Sequence, residues 1–157
     1  LLHNDKRISG VYFQSIAAPF FTDGSREWRT SEEFGELWPD DYAQVSRTID
    51  EIIRLKKQRN YIIHNHEKQL LNYKKYFKDP TVRVSQAPCY LGDYVINADH
   101  EGNINLCCFE KPIGNIRTDS ITELWFSDRV KKIRDTMHRC QINCHNMVNC
   151  FFKDDEE

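Results

Sequence analysis

All six cysteines of this chain lie at or beyond residue 89, and the 88 residues before them contain none. Thiolates are soft ligands that bind zinc or the iron of iron–sulfur clusters. Six thiols confined to one part of a chain therefore predict a local metal centre. A set of buried structural cysteines and a secreted disulfide module are the alternatives, and the clustering favours neither.

The spacing of the cysteines predicts that distant parts of the chain contribute ligands to one metal centre. A Cys-x12-Gly-x4-Cys stretch comes first, a predicted helix follows, and a Cys-x3-Cys-x5-Cys stretch comes last. Two adjacent cysteines, Cys107 and Cys108, end a predicted strand. Neighbouring residues of a strand point to opposite faces, so only one of the two is expected to face the centre. The candidate ligands are Cys89, Cys107, Cys140, Cys144 and Cys150.

The first half of the chain has the pattern of βα units. Residues Ile8–Ile16 are rich in β-branched and aromatic residues and predict a strand. Apolar residues at three- and four-residue steps predict a helix that begins after Pro39 and ends at Arg59. A short apolar run, Tyr61–His64, predicts a buried parallel strand, and Glu67–Phe77 predicts a second helix. This alternation is typical of α/β folds.

The second half has a different pattern. Two short runs, Tyr94–Ala98 and Asn103–Cys107, predict a β-hairpin in which Gly102 occupies a turn position with positive φ. Ser120 and Glu123 form a capping-box pattern, which predicts a single helix from there to about His138. The expected product is a small α+β unit.

Composition and charge exclude several classes of function. The net charge is −2, with 29% charged residues and no basic stripe, so no nucleic-acid partner is predicted. No apolar run is long enough to span a bilayer, so no membrane partner is predicted either. No signal peptide is evident, and clustered reduced cysteines are typical of the cytoplasm, so a cytoplasmic location is expected.

Zinc and iron–sulfur both fit four thiolates. Structural zinc sites usually use paired Cys-x2-Cys knuckles, which are missing from this sequence, so the iron–sulfur interpretation is favoured. His138 and His145 flank candidate ligands, and either is an alternative to one thiolate.

Taken together, these motifs resemble the SPASM or twitch domain of radical S-adenosylmethionine enzymes. The resemblance rests on the Cys89-x12-Gly102-x4-Cys107 spacing, the Ile113–Ile116 stretch, the Ser120–Trp125 helix start, and the cysteine cluster from Cys140. It implies that residues 83–157 are a SPASM/twitch-like domain, a β-hairpin plus a helix. It also implies that residues 1–82 are the terminal βα units of the partial (β/α) barrel that precedes such domains.

The resemblance further implies one auxiliary [4Fe–4S] cluster near the substrate, held by Cys89, Cys107 and two of the three later cysteines. Cys140 and Cys144 are separated by three residues where the family pattern has two, and the later cysteines that hold a second cluster are absent after Cys150.

Catalysis in such enzymes needs a Cys-x3-Cys-x2-Cys loop whose cluster binds S-adenosylmethionine, and this chain has none. The chain begins at a leucine, which suggests the C-terminal part of a longer enzyme whose remaining barrel binds that cofactor. The 157 residues alone are therefore not expected to perform the radical step. The substrate, a peptide or a small molecule, is not indicated by the sequence. The alternative function is a non-catalytic, zinc-stabilised binding module.

Overall fold

A computed structural model of the protein describes residues 7–18, 26–58 and 62–150, and these residues form two compact units. Unit one contains residues 7–18, 26–58, 62–85 and 143–150, and unit two contains residues 86–142. The later cysteine cluster is thus divided, because Cys140 belongs to unit two whereas Cys144 and Cys150 belong to unit one. The division into domains 1–82 and 83–157 stays a prediction.

Two amphipathic helices dominate unit one. Helix α1 spans Tyr42–Lys57, and the Asp41 side chain caps it by accepting a hydrogen bond from the Gln44 N–H at 3.0 Å. Helix α2 spans Glu67–Lys78. Both ends of each helix lie within three residues of the predicted bounds. The prediction succeeds because a long apolar stripe and clear stop residues are local signals. Short 3₁₀ turns, Arg26–Thr30 and Gly35–Leu37, precede α1.

The strand predicted over Ile8–Ile16 is much shorter than expected. Val11 forms one parallel bridge with Ile63, in which the Val11 N–H donates to Ile62 O and the His64 N–H donates to Val11 O. This bridge joins the two segments that were predicted to be parallel strands. Tyr61 itself lies outside the described residues.

Side chains from both helices and from the chain around them form the core of unit one. Trp38 lies against two aromatic rings of α2, with 5.4 Å to the Tyr76 centroid and 5.2 Å to the Phe77 centroid. The described buried apolar residues of this unit are Ala18, Trp28, Ile49, Ile53, Ile63, Leu70, Tyr73, Tyr76, Val84, Met147 and Val148.

Unit two is built on a small antiparallel sheet. Its strands are β1 (Asn97–Ala98), β2 (Asn103–Asn105) and β3 (Gly114–Asn115), in the order β1-β2-β3. Gly102 has a φ of 84°, which confirms the predicted turn position. The hairpin is shorter than predicted, since Tyr94 ends a one-turn helix, α3 (Leu91–Tyr94), instead of beginning a strand. The third strand was not predicted.

The single helix predicted after Ser120 is two helices, α4 (Ile121–Phe126) and α5 (Asp128–His138). The Ser120 side chain accepts from the Glu123 N–H at 3.4 Å, as the capping-box pattern predicts. Ser127 causes the break, because its side chain accepts from the Val130 N–H at 3.3 Å and so starts a new helix. Apolar residues of β2, of the segment between β2 and β3, and of α5 form the core of this unit, namely Ile104, Leu106, Ile113, Val130 and Met137.

The described residues therefore combine helices with a small three-stranded antiparallel sheet, an α+β arrangement in unit two as predicted. No helix within residues 7–18, 26–58 and 62–150 is both long and apolar enough to cross a membrane.

Candidate metal centre

All six cysteines are among the described residues, and none of them is in a disulfide. Cys89, Cys107, Cys108 and Cys140 lie in unit two, and Cys144 and Cys150 lie in unit one. No disulfide therefore removes a candidate ligand.

Cys107 and Cys108 lie in a turn after β2, which ends at Asn105. The prediction that strand alternation separates them was therefore wrong, because neither residue belongs to a strand. The Cys108 side chain instead hydrogen-bonds to Cys107, and this contact is the largest cause that lowers the pKa of the Cys107 thiol to about 7. Burial opposes the shift, and the backbone N–H groups of Phe109 and Glu110 add to it.

A lowered pKa matters because the thiolate is the form that binds metal. Cys107 also packs against the apolar core of unit two, as Cys89 does. The two cysteines that flank the Gly102 hairpin therefore pack against the same apolar core.

Two of the later cysteines accept hydrogen bonds from the backbone. The Ile142 N–H lies 3.4 Å from Cys140 Sγ, and the Met147 N–H lies 3.4 Å from Cys144 Sγ. Cys107 has the same kind of contact, so three of the five predicted ligands accept a hydrogen bond from a backbone N–H. In each case the donor lies two or three residues after the cysteine in the sequence. Such bonds stabilise negative charge on sulfur and tune iron–sulfur centres.

Cys150 ends a π-helical turn, Asn146–Cys150, and is exposed. Partial desolvation raises the pKa of its thiol. The Val148 N–H donates to Cys144 O at 2.9 Å, so the chain between the two cysteines is wound into one compact turn. π-turns are rare and are often found at functional sites.

The two histidines that were alternatives to a thiolate have other partners. His138 Nε2 lies 2.7 Å from Asp93 Oδ2, and its ring centroid lies 5.1 Å from that of Tyr90. His145 Nδ1 lies 3.3 Å from Asn149 Nδ2. Within residues 7–18, 26–58 and 62–150, no three histidine, cysteine, aspartate or glutamate side chains converge as a metal-binding group. The predicted ligand set stays a prediction.

Sequence reasoning missed a set of buried amides in unit one. Asn65, Gln69 and Asn149 are each 0% exposed and join α2 and the π-helical turn to residues 12–15. Their only local signal is the position of Asn149 directly before Cys150.

Comparison with known families gives a match in the second half of the chain. Residues 89–150 match the SPASM family model, described as an iron-sulfur cluster-binding domain. The match begins at the first cysteine and ends at the last, and it confirms the SPASM resemblance. No curated protein and no solved structure matched the chain.

The residues present fit an iron–sulfur cluster. Such clusters are held by cysteine thiolates. None of the six cysteines is in a disulfide, the surroundings of Cys107 favour the thiolate, and backbone N–H groups donate to Cys140 and Cys144.

Proposed function

We propose that this chain is the auxiliary-cluster region of a radical S-adenosylmethionine enzyme. The observation that carries the proposal is the SPASM match over residues 89–150, bounded by Cys89 and Cys150. The parallel bridge between Val11 and Ile63, each followed by a helix, supports the interpretation of residues 1–82 as terminal βα units of a partial barrel.

One [4Fe–4S] cluster is proposed, with Cys89, Cys107 and two of Cys140, Cys144 and Cys150 as its ligands. When bound, the cluster would supply one-electron redox chemistry or a place to orient the substrate. The protein's own part is to orient these thiols and, at Cys107, to favour the thiolate. The lowered pKa of Cys107 and the N–H groups directed at Cys140 and Cys144 support that role.

The remaining features of the proposal follow from this assignment. The partners are the rest of the radical barrel, which holds S-adenosylmethionine, and a peptide or small-molecule substrate; neither nucleic acid nor a membrane is a partner. The location is cytoplasmic, where thiols stay reduced.

Anaerobic reconstitution of the chain with iron and sulfide tests the proposal. We expect a brown protein with about four iron and four sulfide per chain. A colourless protein that binds one zinc ion instead would contradict it and support the zinc-stabilised binding module.

The ligand set has its own test. Cys107→Ser is expected to lower bound iron sharply, whereas Cys108→Ser should change it little. Equal losses in the two variants would mean that both adjacent thiols face the centre.

A further inference from the structure

Asn149 binds the backbone of Ser15 in the way that a neighbouring strand would. The Ser15 N–H donates to Asn149 Oδ1 at 2.7 Å, and Asn149 Nδ2 donates to Ser15 O at 2.8 Å. One side-chain amide thereby satisfies both polar groups of one residue. The bonds connect positions separated by 134 residues within unit one.

The backbone carbonyl of Asn149 is held separately. Tyr12 Oη donates to it at 2.7 Å, and Gln69 Nε2 donates to it at 2.8 Å. This carbonyl belongs to the peptide bond that links Asn149 to Cys150. Two donors from different parts of unit one thus fix the peptide plane that leads directly to the Cys150 backbone nitrogen.

The network is buried and highly directional. Asn149 and Gln69 are 0% exposed, and buried amides are costly unless their hydrogen bonds are made. The turn is already anchored by apolar contacts, since Met147 and Val148 are also buried. Apolar burial is not directional, whereas hydrogen bonds are. The amide network therefore fixes the orientation of the turn.

We propose that Asn149 is a positioning residue for Cys150, and that Tyr12 and Gln69 act through it. The proposal rests on the proposed function in that Cys150 is a candidate cluster ligand. Groups that hold a metal ligand without touching the metal orient that ligand, and their loss typically weakens metal binding by about 10- to 100-fold.

Unit one contains a matched control. Ser31 forms two hydrogen bonds to the backbone: its Oγ donates to Trp28 O at 2.7 Å and accepts from the Phe34 N–H at 3.1 Å. Asn65 is unsuitable as a control, because its Nδ2 donates to Gln69 Oε1 at 3.0 Å and so helps to hold a donor to the Asn149 carbonyl. Ser31→Ala removes two side-chain-to-backbone bonds of unit one, and neither bond involves Tyr12, Gln69, Asn149 or a cysteine.

The experiment compares Asn149→Ala with Ser31→Ala in the full chain. The first measurement is the affinity of the metal-free chain for Cd²⁺, a thiophilic probe that reports thiolate binding whether iron or zinc is the natural metal. The second is the rate at which the reconstituted chain loses iron to a chelator. Thermal unfolding of each variant gives the folded fraction, and both measurements are made well below the transition.

We expect Asn149→Ala to weaken Cd²⁺ binding by about 10-fold or more and to accelerate iron loss, while Ser31→Ala leaves both near the wild-type values. Tyr12→Phe removes one donor to the Asn149 carbonyl and should produce a smaller change in the same direction. It also serves as the test if Asn149→Ala does not fold.

The positioning role would be overturned if the two alanine variants changed Cd²⁺ affinity and iron loss equally. If Asn149→Ala does not fold, it would be overturned by a Tyr12→Phe variant that changes neither. A wild-type chain that binds no Cd²⁺ would overturn it as well. A chain that assembles no iron–sulfur cluster but binds Cd²⁺ in an Asn149-dependent way would retain the positioning role and refute the proposed function.

Discussion

The Arg134 guanidinium lies over the Trp125 ring, with 4.1 Å between Cζ and the ring centroid. Arg134 Nε donates to Gly92 O at 2.9 Å, and Nη1 donates to Trp125 O at 3.0 Å. The same side chain lies 3.7 Å from an oxygen of Asp93. One arginine of α5 therefore joins α3 and α4, and Trp125 is held by stacking as well as by core contacts.

Replacement of Arg134 by lysine should destabilise unit two. Lysine has no planar fork to reach two carbonyls while stacking on the ring. The expected loss of unfolding free energy is about 2 kcal/mol, from the cation–π contact and the charged hydrogen bonds together. Urea denaturation followed by tryptophan fluorescence measures it. Arg117→Lys, at an exposed position, is the control, and equal midpoints for the two variants would contradict the prediction.

Cys108 controls the acidity of Cys107 in the metal-free chain. The lowered pKa of Cys107, about 7, depends first on the Cys108 hydrogen bond. In Cys108→Ala we expect a higher pKa for Cys107 and slower alkylation of its thiol at pH 7, measured by mass spectrometry across a pH series. Cys140 in the same samples is the internal control. An unchanged pH profile for Cys107 would show that Cys108 has no such influence.

The same shift makes folding stability depend on pH. A depressed thiol pKa stabilises the folded state above the unfolded pKa, and this contribution is lost as the pH falls through about 7. The metal-free wild-type chain should gain about 1 kcal/mol between pH 6 and pH 9 relative to Cys108→Ala, after allowance for solvent screening. Parallel urea titrations at the two pH values measure the difference, and identical pH dependence in the two proteins would argue against it.

Gly102→Ala should weaken the hairpin of unit two. The φ of Gly102 is +84°, and an added Cβ would lie 3.0 Å from Asn115 Oδ1. A cost of about 1–2 kcal/mol is expected for a non-glycine residue in this conformation. Hydrogen exchange of the Ile116 amide, which donates to Gly102 O at 2.8 Å, reports the loss. Gly35→Ala, at a glycine without positive φ, is the comparison. Unaltered exchange at Ile116 would rule out the strain.

Removal of the metal should loosen unit two more than unit one. The described core of unit two has only five buried apolar residues, and small cores usually depend on a metal or another cross-link. After chelation we expect faster amide exchange in β1, β2 and α5 than in α1 and α2. Full protection of the hairpin in a demetallated sample would show that the cluster is not structural.

Reductive cleavage of S-adenosylmethionine should not occur in this chain alone. It needs a cluster with one open iron site, held by three closely spaced cysteines, and the sequence has no Cys-x3-Cys-x2-Cys loop. The reconstituted chain, reduced with dithionite, should form no 5′-deoxyadenosine above the level of a sample without protein. Formation of 5′-deoxyadenosine would mean that fewer than four cysteines bind the cluster, so that one iron is open to the cofactor.

Local signals in the amino-acid sequence were sufficient to predict several features of the fold and of the candidate site. Periodic apolar residues and stop residues located α1 and α2, Gly102 located the hairpin turn, and Ser120 located the start of α4. The cysteine spacing, together with the helix start at Ser120, was sufficient to recognise the resemblance to the SPASM family that the family match over residues 89–150 confirms.

The other features depend on contacts that are visible only in the folded chain. The Ser127 side chain split one predicted helix into two, and the turn after Asn105 brought Cys107 and Cys108 into contact. The pairing of Asn149 with Ser15 spans 134 residues and joins a side chain to a backbone. Such a bond leaves no periodic trace in the sequence, because any residue can supply the backbone groups and only the folded chain brings the amide to them.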